Sequence, residues 1–249
     1  MAEGWQSAIA STPRRGLPRR ATVPNHDSPP LSPRASAPAP AVPLVHAVTT
    51  DEIVARPDFV DVACGVMGAL GPRGALHLRA SRAPGGRLQE LGDVLAAAQL
   101  VTGAWLVIND RVDVALTVRA KGAQLTSRSL TAADARRAAP TLAIGASVHR
   151  VPDGVEAARG GADWLVAGRV FDHAARPDEE GVGMPFVEAL VAAVRVPVIA
   201  IGGVRSSHCR ALRLAGVYGV AVIRGIWDAP NAERAASDYL SCYDDAGAA

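Results

Sequence analysis

The sequence predicts an α/β protein built as a single (β/α)8 TIM barrel over residues 44–249. From Leu44 onward, eight short apolar runs alternate with stretches of helical spacing, the pattern of βαβ units and a parallel sheet. The repeat averages about 26 residues, compact but ordinary for such a barrel. The rival architecture, an open doubly wound sheet, should carry a GxGxxG turn after its first strand, and none is present.

Taken in order, the predicted strands are Leu44–Val48, Ala75–Arg79, Trp105–Asn109, Gly122–Ser127, Ala143–His149, Trp164–Val170, Val196–Gly203 and Gly219–Arg224. Each is a run of four to eight residues rich in branched side chains, bounded by polar or glycine turns. Between them, Arg87–Leu100, Thr131–Ala139 and Met184–Val194 have helical spacing. The chain is 49% hydrophobic but only 4% aromatic. Its core must therefore be built from Ala, Val, Leu and Ile, the residues that fill barrel interiors.

Residues 1–43 read differently. They hold nine of the eighteen prolines and five arginines against two acids, with no apolar periodicity. Such a segment is expected to be a disordered extension; it lacks the apolar run of a secretory signal. Net charge is +2, and no basic stripe interleaved with aromatics suggests nucleic acid. The most apolar stretch, Val187–Val204, is interrupted by Glu188 and Arg195, so no membrane span is expected. Three scattered cysteines (Cys64, Cys209, Cys242) form no CxxC and suit a reducing cytoplasm, without a disulfide framework or zinc site. Lys121 is the sole lysine and precedes a strand, at the face opposite to barrel active sites. Schiff-base chemistry is thereby nearly excluded.

Catalytic candidates in a barrel lie at the C-terminal ends of strands. Here those positions hold His77, Arg79 and Ser81; Asn109 and Asp110; Ser127; Ser147 and His149; Gly168 and Arg169; Gly202 and Gly203; Arg224 and Gly225. Alternation puts His77, Arg79 and Ser81 on one strand face. His77 reads as a polar lining residue, and His46 has no distinguishing context. Gly202, Gly203 and Gly225, with Arg224 and a helix beginning near Ser206, form a candidate phosphate cradle after strands seven and eight; the alternative is that the glycines only make tight turns. His149 offers an imidazole, a group that can take and return a proton, although a structural hydrogen-bonding role is equally open. His173 lies on the loop after strand six, within reach of a ligand.

Several of these pieces resemble the thiamine phosphate synthase/TenI family, in the right order and over Leu44–Tyr239. Leu106–Leu116 (LVINDRVDVAL) is similar to its asparagine–aspartate segment, and Val198–Val204 (VIAIGGV) resembles its phosphate-binding strand. Gly145–His149 (GASVH) and Gly161–Trp164 (GADW) resemble its fifth and sixth units. Two activities belong to the family. The synthase couples a pyrimidine pyrophosphate to a thiazole phosphate, with Mg²⁺ on two aspartates. Asp110 matches the first; Ser129 stands where the second should be. The synthase's strand-two lysine aligns with Ser81, beside a retained Arg79. The lysine of its strand-six loop has no equivalent, Arg176 being the nearby substitute.

These departures point toward the other activity, the TenI-type thiazole tautomerase, which aromatises a carboxylated thiazole phosphate by moving a proton without metal. Its acid/base histidine matches His149 in Ser147–Val148–His149, and Gly168–Phe171 and Gly181–Gly183 also resemble that branch. The expectation is therefore a cytoplasmic tautomerase with His149 as catalyst. Arg79, Asn109, Asp110, Ser127, Ser147 and Gly168 would contact substrate, and Gly202, Gly203, Arg224 and Gly225 would hold its phosphate. Neither cofactor nor metal is expected, and no macromolecular partner beyond a homo-oligomer. A synthase, or a non-catalytic binder of thiamine-pathway phosphates, remains the alternative.

Overall fold

The computed structural model describes residues 41–171 and 181–245. The extension expected over residues 1–43 lies outside them except for its last three residues, as do His173 and Arg176. Within the compact unit Pro40–Ala249, eight parallel strands close into a barrel in sequence order. They are β1 (Val45–Val48), β2 (Gly74–Leu78), β3 (Trp105–Asn109), β4 (Gly122–Leu125), β5 (Ala143–Val148), β6 (Trp164–Gly168), β7 (Val198–Ile201) and β8 (Gly219–Val222). Closure is made by β8 on β1, with Val45 opposite Val220. All eight predicted strands are present. Several end one or two residues early, because their last residues turn outward to build loops. Thr126, for example, leaves the ladder to donate to Asp110 instead.

Helices fill the intervals: α1 (Asp51–Val54), α2 (Phe59–Leu70), α3 (Gly85–Thr102), α4 (Val112–Thr117), α5 (Ala132–Ala138), α6 (Val151–Arg159), α7 (Gly183–Ala193), α8 (Cys209–Leu214), α9 (Arg224–Trp227) and α10 (Ala232–Asp245). The Thr50 and Thr131 hydroxyls cap α1 and α5 by accepting a first-turn amide. Gly103 ends α3 at φ 76°, the left-handed stop that glycine adopts without steric cost.

Strand alternation divides the molecule into two apolar regions. Outward side chains such as Leu76, Leu106, Ile144 and Leu165 pack under the helices. Inward ones, including Trp105, Val107, Trp164 and Ile199, fill the barrel, together with Val42 from the approach to β1. The interior also holds a polar layer. His46 Nδ1 meets His77 Nε2 at 2.7 Å, and His46 Nε2 meets the Pro43 carbonyl at 2.9 Å. The Trp164 indole donates to Gln124 Oε1 at 2.9 Å, and Gln124 Nε2 donates to Ser147 Oγ at 3.0 Å. Most buried polar groups are hydrogen-bonded in this way. The indole lies over Gly145, where an added Cβ would sit 2.2 Å from its ring.

Candidate active site

The strands deliver their polar ends to one rim. Thr49, just past β1, accepts the Arg79 amide at 2.8 Å, and its hydroxyl lies 3.1 Å from the His77 and Arg79 carbonyls. This tie fixes where β2 releases Arg79 toward a cavity of about 630 Å³. Arg79, His149, Gly168, Gly202 and Arg224, all expected at the site, line that cavity.

His149 follows β5 directly, and its Nδ1 is hydrogen-bonded to the Gly168 carbonyl oxygen at the end of β6. A carbonyl can only accept, so Nδ1 carries the proton and the lone pair resides on Nε2. The ring is therefore held in the tautomer whose free nitrogen can act as a base.

On the same rim, Gly202, Gly203, Arg224 and Gly225 line a small pocket of about 70 Å³ between the turns after β7 and β8. Gly202 at φ 96° and Gly203 at φ 64° adopt backbone that L side chains rarely take. A Cβ at Gly202 would also lie 2.3 Å from Arg169 Cγ. The helix expected near Ser206 begins there as a short 3-10 turn and continues as α8.

The other predicted residues are distributed differently. Ser127 and Ser147 line a second cavity, about 590 Å³, between the β4 and β5 loops; His149 borders both cavities. Asn109 is 9% exposed, continues the inward face of Trp105 and Val107 on β3 and lines neither cavity; among the described residues its buried Oδ1 has no hydrogen-bond partner. Asp110, at φ 62°, has its Oδ1 engaged by the Thr126 amide (3.0 Å), the Thr126 hydroxyl (2.6 Å) and the Ser129 hydroxyl (2.6 Å). The residue in the place of the second synthase carboxylate is thus a donor to the first. Among the described residues no cluster of three His, Cys, Asp or Glu could hold a metal, and this donor set does not fit a two-carboxylate magnesium site. Ser81 does not continue the strand face, which is a correction: β2 stops at Leu78, and Ser81 donates to Asp51 at 2.8 Å on the loop.

Two guanidiniums join the expected Arg79 and Arg224. Arg169 follows β6 and lines the main cavity, and so does Arg56, which pairs with Asp228 at 2.7 Å and donates to the Trp227 carbonyl. Arg169 was legible as a strand-end residue. Arg56 gave no signal, because its partner lies 172 residues away. Among the described lining residues, four arginines stand against Glu52 and Asp228, a set suited to an anionic ligand.

Comparison with known proteins agrees with this architecture. The TMP-TENI family profile, described as thiamine monophosphate synthase, matches residues 46–226. A thiamine-phosphate synthase of Pyrococcus horikoshii is 37% identical over 161 residues, 65% of this chain and 78% of that protein. One of Methanoculleus marisnigri is 35% identical over 184 residues, covering 72% and 85%. Among solved structures, a thiamine phosphate pyrophosphorylase of Pyrococcus furiosus superposes with a TM-score of 0.72 at 32% identity, over 82% of this chain and 96% of that one. The chain belongs to the thiamine monophosphate synthase (TMP-TENI) family.

Proposed function

We propose that this protein is a cytoplasmic enzyme of thiamine biosynthesis that aromatises a carboxylated thiazole phosphate, a thiazole tautomerase. The observation that carries the reading is the His149–Gly168 hydrogen bond at the cavity wall, which leaves Nε2 as the basic nitrogen. The substrate phosphate would rest on the amides around Gly202, Gly203 and Gly225 with Arg224 beside them, and Arg79 would pair with the ring carboxylate. His149 Nε2 then takes the ring proton and returns it to the exocyclic carbon; no other group need change charge. Ser127 and Ser147, in the adjoining cavity, would contact the ring's far side, while Asp110 acts through the loop after β4 that it holds.

The synthase is the second reading, and the printed names of the relatives favour it over the first. The two are separated by incubating the protein with a pyrimidine pyrophosphate, a thiazole phosphate and Mg²⁺. Formation of thiamine phosphate identifies a synthase. Conversion of the carboxylated thiazole phosphate alone to its aromatic isomer identifies a tautomerase.

A further inference from the structure

Two cysteines, Cys209 and Cys242, come together behind the phosphate cradle although 33 positions separate them. Cys209 opens α8, and Cys242 lies on α10. Both turn to one backbone oxygen: the Ser206 carbonyl accepts the Cys209 amide and, at 3.0 Å, the Cys242 thiol. Cys209 is fully buried, whereas Cys242 is partly exposed and open to a small reagent. Nothing in the proton-transfer reading uses either.

We propose that Cys209 and Cys242 form a reversible intramolecular disulfide, a modification site that fastens α10 to the turn and helix after β7. The clamp lies next to the cradle. Tyr239, one turn before Cys242, donates its hydroxyl to the Val204 carbonyl at 3.2 Å, and a Cβ on Gly225 would meet that hydroxyl at 2.4 Å. With oxidised glutathione as the two-electron oxidant, the Cys242 thiolate attacks one glutathione sulfur and releases the first glutathione thiolate. The Cys209 thiolate then attacks Cys242 Sγ and releases the second. The two thiol protons end on the two glutathiones. Burial, reinforced by Cys242, pushes the Cys209 thiol up to about 12. Thiolate is therefore scarce at neutral pH, and the second displacement is slow, accelerating about tenfold per pH unit from 7 to 9. A slow, reversible bridge is compatible with a reducing compartment, where such pairs act as redox sensors.

The test treats the full chain with oxidised glutathione at pH 8, alkylates remaining thiols, and maps peptides by mass spectrometry before and after dithiothreitol. The expected result is a Cys209–Cys242 linked peptide that reduction abolishes, with Cys64 alkylated. Closing this loop should raise Tm by on the order of 5–10 °C, independent of protein concentration. Cys64→Ser should retain the shift, and Cys242→Ser should lose it. Cys242 recovered only as a glutathione adduct or free thiol, or a bridge to Cys64 or to a second chain, overturns the proposal; the wild-type map decides even if Cys242→Ser fails to fold.

Discussion

His149 Nδ1 is bonded to the carbonyl oxygen of Gly168 across the β5–β6 boundary, at the wall of a cavity of about 630 Å³. The bond selects one imidazole tautomer and aims its basicity through Nε2. Replacing His149 by Ala should reduce turnover by roughly 10²–10⁴-fold, the usual worth of a general acid–base group. His149→Gln, which can still donate to Gly168 but cannot shuttle a proton, should lose as much. Because the side chain is exposed, thermal melting should change little in either variant. Steady-state kinetics beside melting curves would check both statements.

Gly202 combines φ 96° with a neighbour that leaves no room for a Cβ. Gly202→Ala should cost about 1–3 kcal/mol of stability through backbone strain and displacement of Arg169. Phosphate affinity should fall with it, because the cradle amides move. Calorimetric titration with inorganic phosphate, together with urea unfolding, measures both effects.

Asp110 and Ser129 define the metal question. In wild type the Ser129 hydroxyl donates to Asp110 Oδ1, so millimolar Mg²⁺ should leave Tm unchanged. Ser129→Asp removes that donor and sets two carboxylates together, destabilising by roughly 1–2 kcal/mol in the absence of divalent ions. Mg²⁺ should then restore part of the loss. Stabilisation of the wild type by Mg²⁺ would show that the lone carboxylate suffices, and would favour the synthase.

The buried histidine pair makes stability depend on pH. Burial lowers His46 from 6.5 to about 4, opposed by its bond to the Pro43 carbonyl; burial and then His46 hold His77 well below its usual value. Well above pH 6.5 both are neutral whether folded or unfolded and contribute nothing to the pH dependence. Below it the unfolded chain takes up protons that the folded barrel refuses, so stability falls with pH. From His46 alone the loss should reach about 3 kcal/mol by pH 4 and then level off, with His77 adding in the same direction. Urea unfolding at pH 7, 5.5 and 4.5 reads the slope.

Strand positions were legible because each run is short, apolar and punctuated, and alternation requires only neighbours in sequence. His149, Arg79, Gly168, Gly202 and Arg224 were legible for the same reason: a barrel strand's last residues face its rim. The polar interior was not. His46 carried no local sign of burial, since its meaning depends on His77, 31 residues away, and the Trp164–Gln124 bond spans 40. Arg56 entered the cavity through a partner at the far end of the chain. Ser81 was misread because alternation was extended beyond the point at which the strand ends. The sequence also reads Asn109 as a ligand contact, although it continues the inward face of β3 and lines neither cavity. A strand end alone does not reveal which way a side chain points after the ladder stops.

The most direct test of proton transfer by His149 is nuclear magnetic resonance of the carboxylated thiazole phosphate in deuterium oxide, with wild type and His149→Gln side by side. Wild type should yield the aromatic isomer carrying solvent deuterium on the exocyclic carbon, while the variant yields almost none. Equal conversion by both proteins, or none by wild type under conditions where it makes thiamine phosphate with Mg²⁺, would contradict the assignment.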